Sequence, residues 1–263
     1  MKVLPLLKHS EQPQEVVALD EARVSGKVKD WYRKTTILFD LGGTLAQYYD
    51  RSEFPSILDQ AIREVQLYLD KKHLLAVTPD IVAARVREED HESPDYHSRP
   101  LEGRLTRIFG LEALTGELLM GICEHFMKPI FARGRCYNDT IPTLKELRSR
   151  GLRTAIVSNT SWGSPAVLWR AEIQRLGLDS YMDSIVLDRD VGWRKPSNRI
   201  FEFAMKNLNV PPRDCLFVGD EPRWDLAGPR AVGIEAVLID RKGIMVGVER
   251  QPIKSLHELT LRL

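Results

Sequence analysis

A chain of 263 residues with 38 Lys and Arg against 37 Asp and Glu carries a formal net charge of +1, so it has no single-sign field to draw nucleic acid or an anionic membrane. Hydrophobic residues at 43% and charged residues at 29% exclude a disordered chain and predict a globular protein with a real core, in one or two domains. Cys123, Cys136 and Cys215 are odd in number and far apart, which fits neither a disulfide framework nor metal-ligand spacing; reduced thiols in a cytoplasmic protein are expected.

Residues 1–35 mix charges with a few aliphatics and read as an N-terminal extension with room for one short helix. Val3 to Leu7, broken by Pro5, is too short for a signal-peptide core, and no apolar run reaches the roughly 20 residues a membrane helix needs. Thr36-Ile37-Leu38-Phe39 is then a β-rich apolar run ending at Asp40 and followed by the turn-forming pair Gly42-Gly43. Residues 46–138 hold helix-like stretches at Ile57 to Leu69, Pro79 to Glu89, Leu101 to Phe109 and Glu117 to Phe126, with no convincing strand. From residue 139 strands and helices alternate. The apolar runs are Thr154 to Val157, Ser184 to Leu187, Cys215 to Val218 and Ala236 to Ile239. Runs apolar at consecutive positions are buried on both faces, as in a parallel sheet covered by helices. Between them, Leu144 and Leu147 share a helix face that stops before Gly151. Ser164-Pro165 reads as the N-cap and first residue of a helix carrying Val167, Leu168 and Ala171 and stopping at Gly177. Ile200, Phe203 and Ala204 share one face of another. The expectation is an α/β protein: a Rossmann-like, doubly wound parallel sheet formed by 36–45 and 139–263, with 46–138 inserted as an α-helical cap. The insertion leaves the carboxyl end of the first strand, where ligands of open α/β sheets bind.

The polar residues that end the strands therefore carry the chemistry. They read Asp40, Ser158-Asn159 and Gly219-Asp220, with Lys195 in the loop after the third strand. Asp40 is followed by Gly42, Gly43 and Thr44, whose backbone amides can hold an anion beside it. A carboxylate there can attack phosphorus if its charge and that of the phosphate are offset. Asp220 and Asp225 can supply that offset by holding Mg²⁺, a hard cation that prefers oxygen ligands. Lys195 would stabilise the phosphoryl oxygens and Ser158 would donate a hydrogen bond to them.

FDLGGTL (Phe39 to Leu45), IVSNT (Ile156 to Thr160), GWRKPSNRIF (Gly192 to Phe201) and VGDEPRWDLAG (Val218 to Gly228), in that order, resemble the four motifs of the haloacid dehalogenase superfamily. The helical insertion after the first motif is similar to the subfamily with a C1 cap. The resemblance implies a hydrolase acting on a small phosphorylated metabolite through an aspartyl-phosphate. Asp40 would be the nucleophile, Ser158 and Lys195 the phosphate binders, and Asp220 a Mg²⁺ ligand. It also implies that Asp225 holds the metal directly or through water and that the Gly42 carbonyl is a further ligand.

One position departs from the pattern. Phosphatases of that superfamily usually carry a second Asp two residues after the nucleophile as proton donor and base, and here it is Gly42. The departure leaves open a substrate with a good leaving group, a proton donor from the cap, or a protein that binds phosphate with weak or no turnover. A phosphonate hydrolase would use a cap lysine, for which Lys71 and Lys72 are the lysines of the first cap helix region. Dehalogenases dispense with metal, and the pair Asp220 and Asp225 argues against that chemistry. The acidic segment Glu88 to His97 places His91 and Asp95 four residues apart; Ser93 and Pro94 favour a solvated loop over a metal site, and the segment is also the best place for a replacement acid or base. Trp162, Trp193 and Trp224 each follow a motif and read either as pocket walls or as packing at the junction of core and cap.

Overall fold

The computed structural model describes residues 31, 33–89, 94–112, 114–245, 247 and 251–263. The short helix allowed for in the N-terminal extension falls outside the described residues. Of that extension Trp31 and residues 33–35 are described; Trp31 is buried, and its amide donates to the Arg262 carbonyl at 3.2 Å.

The elements run β1 (Thr36–Phe39), β2 (Ala46–Gln47), α1 (Phe54–Lys71), α2 (Pro79–Glu88), α3 (Leu101–Phe109), α4 (Gly116–Phe131), β3 (Arg135–Cys136), α5 (Thr140–Ser149), β4 (Arg153–Ser158) and α6 (Ala166–Arg175). They continue with β5 (Ser184–Leu187), α7 (Asp188–Val191), α8 (Asn198–Leu208), β6 (Cys215–Gly219), α9 (Pro222–Asp225), α10 (Ala227–Ala231), β7 (Glu235–Leu238) and α11 (Leu256–Thr260). Five of the strands form one parallel sheet in the order β5-β4-β1-β6-β7. Helices α1 to α4 form an inserted helical region between β1 and β4, and the antiparallel pair β2 and β3 ties its entry to its exit.

Side-chain alternation along buried strands assigns the two faces. Ile37 and Phe39 of β1 join Ile156, Leu216 and Val218 in one core, while Leu38 joins Ala155, Val157 and Phe217 in the other. The first core is continuous with the buried stripe of the helical region: Ile57, Ala61, Val65 and Leu69 of α1 against Ile122, Phe126 and Ile130 of α4. One apolar phase thus connects cap and sheet. Each such aliphatic side chain, fully buried, contributes about 1.5–3 kcal/mol.

Two helix readings change. The N-cap of α6 is Pro165; the Ser164 hydroxyl lies one residue earlier and accepts from the Trp169 indole at 2.8 Å. The helix buries Trp169 and Ile173, leaving Val167 56% exposed. On α8 the buried face is Ile200, Phe201, Ala204, Met205 and Leu208, so Phe201 takes the inward place expected of Phe203, which lies 36% exposed. Ile200 and Ala204 face inward as expected; what departs is the cap and inward side of α6 and the place of Phe203 on α8, which tertiary contacts decide and periodicity alone does not. The three cysteines are free, and burial pushes the thiols of Cys123 and Cys215 up to about 12 and about 11. Among the described residues no helix is long and apolar enough to cross a membrane.

Candidate active site

At its carboxyl end every strand of the sheet hands over to a polar residue: Asp188 after β5, Ser158-Asn159 at β4, Asp40 after β1, Asp220 after β6 and Asp240 just beyond β7. These residues floor a cavity of about 790 Å³, and the inserted helical region walls it with Phe54, His97, Ser98, Arg99 and Arg104.

The floor is built around one carboxylate oxygen. Asp40 Oδ1 accepts from Ser158 Oγ at 2.9 Å and from Lys195 Nζ at 2.6 Å. Lys195 Nζ also donates to Asp225 Oδ1 at 2.7 Å, and Asp225 Oδ2 accepts from the Glu221 amide at 3.0 Å. Lys195 is 2% exposed, so this ammonium is a buried charge held by two buried acids. Asn159 acts on it through the backbone: its Oδ1 accepts the Lys195 N–H at 2.7 Å and its Nδ2 donates to the Lys195 carbonyl at 3.3 Å. With both side-chain groups engaged, Asn159 positions the lysine.

Carboxylate oxygens of Asp40, Asp220 and Asp225 lie within 4.8 Å of one another. Three acids face one lysine, and the deficit of positive charge shows in the titration of Asp220 and Asp225. Burial, then the charges of Asp40 and Asp225, push the Asp220 carboxyl up to about 8. Burial pushes Asp225 up to about 6, with Asp40 adding to it and Lys195 opposing. For Lys195 burial acts downward, but Asp225 and Asp40 outweigh it and raise its pKa. Hard oxygen donors short of compensating charge suit a divalent cation. The backbone is shaped to admit the third acid: Gly43 has φ +79°, and a Cβ there would stand 2.1 Å from Asp220 Oδ2. A side chain at residue 43 would therefore be both strained and in collision.

Other expected residues are distributed differently. Gly42 lines the cavity in open space, since an added Cβ would meet nothing nearer than Tyr48 Cδ2 at 3.8 Å. Gly43 donates its amide to the Ala46 carbonyl at 2.8 Å inside the turn, and Thr44 is fully buried and off the cavity wall. Lys71 and Lys72 are exposed; the lysines that line the cavity are Lys195 and Lys242. His91 lies outside the described residues, and Asp95 accepts the His97 amide at 3.1 Å as part of a turn. His97 itself reaches the cavity wall, its ring 3.7 Å from that of Trp193. Trp162 and Trp224 line the cavity, whereas Trp193 packs between His97 and Arg199 at the junction.

Three cavity residues escaped the sequence reading. Asp188 accepts from the Thr160 amide and from Ser98 Oγ, both at 2.7 Å, and so ties β5 to the loop after β4 and to the inserted region; burial raises its pKa. Asp240 accepts the amides of Gly243 and Met245, each at 2.8 Å; burial opposes, but these and neighbouring amides hold its carboxyl below the usual range. Both follow an apolar run, at Leu187-Asp188 and Ile239-Asp240, which is the signal that singled out Asp40 and Asp220. The third, Arg104, has no such local signal.

A family model for haloacid dehalogenase-like hydrolases matches residues 34–233. The chain belongs to this family. Its members similar to the chain include a glyceraldehyde 3-phosphate phosphatase of Methanothermobacter thermautotrophicus, 29% identical over 204 residues that cover 78% of this chain and 84% of that protein. An (S)-2-haloacid dehalogenase 4A of Burkholderia cepacia is 36% identical over 127 residues, covering 47% of this chain and 53% of that one. Among solved structures, a haloacid dehalogenase-family phosphatase from Thermococcus onnurineus superposes with a TM-score of 0.60 at 26% identity, covering 86% of this chain and 95% of that one. Haloacid dehalogenase-like relatives of both chemistries thus share the fold, and the site has to discriminate between them.

Proposed function

We propose that this chain is a Mg²⁺-dependent phosphatase of a small phosphorylated metabolite, with Asp40 as its nucleophile. The observation that carries the reading is the convergence of Ser158 and Lys195 on Asp40 Oδ1, with Asp220 and Asp225 beside them. A carboxylate surrounded by a hydroxyl, an ammonium and two further acids is arranged for an anionic electrophile. The two acids would be superfluous in a metal-free displacement of halide.

An Asp40 oxygen forms a bond to phosphorus as the ester oxygen–phosphorus bond breaks, and the alcohol departs with a proton. Water then attacks the aspartyl-phosphate, releasing inorganic phosphate and restoring Asp40. The donors now on Asp40, Ser158 Oγ and Lys195 Nζ, are the groups that meet the phosphoryl oxygens, where charge accumulates. Asp40, Asp220, Asp225 and the Gly42 carbonyl would hold the Mg²⁺, which supplies the positive charge that lets two anions meet. Asn159 keeps Lys195 in place through its backbone. The leaving group's proton has no donor at residue 42; His97 stands on the cavity wall in the segment where a replacement is expected. The relatives named as phosphatases support the same reading.

The test is a panel of phosphomonoesters and acyl phosphates assayed with and without Mg²⁺, on the parent and on Asp40→Asn. Metal-dependent release of phosphate that the variant loses supports the proposal; release unaffected by Asp40→Asn overturns it.

Gly42 favours a second reading, a protein of this family that binds phosphate and turns it over weakly. Since residue 42 has room for a side chain, Gly42→Asp separates the two. Activity confined to the variant would establish the second reading.

A further inference from the structure

Arg104 is the exceptional charge of this cavity. It sits on α3, is 3% exposed, and lines the same cavity as Asp40, Ser158 and Lys195. Among the described residues its Nε and Nη1 have no acceptor. The acid whose charge favours it most, Glu89, is engaged by Arg107 through two bonds of 2.9 and 3.0 Å. Burial, foremost, and the charges of Arg194, Arg107 and Arg99 lower its pKa, so its surroundings favour the arrival of a negative charge. What does hold Arg104 is a ring: its guanidinium lies 5.5 Å from the centroid of Trp162. Trp162 has φ +56°, a left-handed backbone rarely taken by a bulky residue, and its ring is seated against Phe126 of α4 at 5.2 Å. A cation–π contact orients a guanidinium but satisfies none of its N–H groups, and unmet buried donors cost more than such a contact returns. For fold stability alone, a hydrophobic residue would serve better at this position.

We propose that Arg104 is a subsite for a second anionic group of the substrate, a carboxylate or a further phosphate remote from the phosphoryl group that is cleaved. The inference rests on the phosphatase reading and narrows its substrate class to phosphorylated metabolites with two acidic ends. Arg104 takes the distal anion while Lys195 and Ser158 take the phosphoryl group, so the two ends of the molecule are bound by the inserted helices and by the sheet.

Matched compounds test it. The parent protein with Mg²⁺ is expected to cleave 3-phosphoglycerate roughly 10- to 100-fold better in kcat/KM than glycerol 3-phosphate, which has a neutral end, as a charge-assisted pair to a guanidinium predicts. Propanediol bisphosphate against propanediol monophosphate shows whether phosphate serves in place of carboxylate. Arg104→Gln should collapse the preference to within about threefold, and Arg104→Lys, which keeps the charge without the fork, should retain part of it. No preference in the parent for either compound with two acidic groups, or a preference that survives Arg104→Gln, overturns the proposal. Calorimetric titration of Asp40→Asn, with and without Arg104→Gln, reads the subsite without turnover. If the parent cleaves no ester yet Asp40→Asn binds 3-phosphoglycerate better than glycerol 3-phosphate through Arg104, the phosphatase reading fails and the subsite stands; equal binding of the two removes the subsite. Should Arg104→Gln not fold, Arg104→Lys carries the same comparison.

Discussion

The floor of the cavity and its wall treat buried charge in opposite ways. On the floor, Lys195 is held by Asp40 and Asp225, and its backbone is held by Asn159. On the wall, Arg104 is equally buried, leans on Trp162, and has no acceptor at Nε or Nη1 among the described residues. The floor contains an excess of acid, the wall a group of arginines. A paired site is poised for chemistry that is the same whatever the substrate, whereas an unpaired one waits for a specific partner. The contrast therefore separates the reaction from its selectivity.

The harshest test of the floor is Asp40→Asn, which should keep the fold and reduce phosphate release by roughly 10⁴-fold or more, as loss of a nucleophile does. Steady-state assay alongside circular dichroism checks both halves of that statement. Lys195→Met removes the charge between two buried acids, and denaturant unfolding at pH 7 should show a loss of about 3–5 kcal/mol. That loss should shrink at lower pH as Asp225, pushed up to about 6, takes up its proton.

Gly42→Asp sharpens the comparison from the other side. It restores the usual proton-transfer group in a space that accepts it and should raise kcat by about 10²-fold on esters with poor leaving groups and far less on acyl phosphates. Equal gains on both would mean that residue 42 acts other than by proton transfer.

The smallest effect concerns pH. In the folded, metal-free protein the Asp220 carboxyl titrates near about 8 and that of Asp225 near about 6, both raised from 3.8. Between those limits the folded state retains protons that the unfolded chain has lost, so this contribution to stability is complete below about pH 4 and disappears as pH rises through 6 and 8. Mg²⁺ favours the ionised acids. Thermal melts should accordingly show a gain from Mg²⁺ of a few degrees that grows from about pH 5.5 to about pH 8.5. A gain independent of pH would show that these acids do not take part.

Much of the fold and part of the site were legible in advance, for a local reason. A strand buried on both faces must be apolar at every position, so Thr36 to Phe39 announces itself and so does the acid that ends it. Asp188 and Asp240 follow the same rule and were overlooked because no motif drew attention to them. The departures on α6 and α8 depend on what each helix packs against, as where Trp169 turns inward and donates its indole to the Ser164 hydroxyl.

The amino-acid order alone determined which residues end the central strands, and hence that Asp40, Ser158 and Asp220 share one edge, because parallel strands align their carboxyl ends; Lys195 and Asp225 lie beyond strand ends and reach that edge through the loop before α8 and through α9. Tertiary structure alone decided that Lys71 and Lys72 face away and that Arg104 stands over Trp162 with no acceptor at Nε or Nη1 among the described residues. The placement of Lys71, Lys72 and Arg104 depends on how helices far from the edge in sequence pack across it, and a helical periodicity states which side is apolar without stating what it will meet.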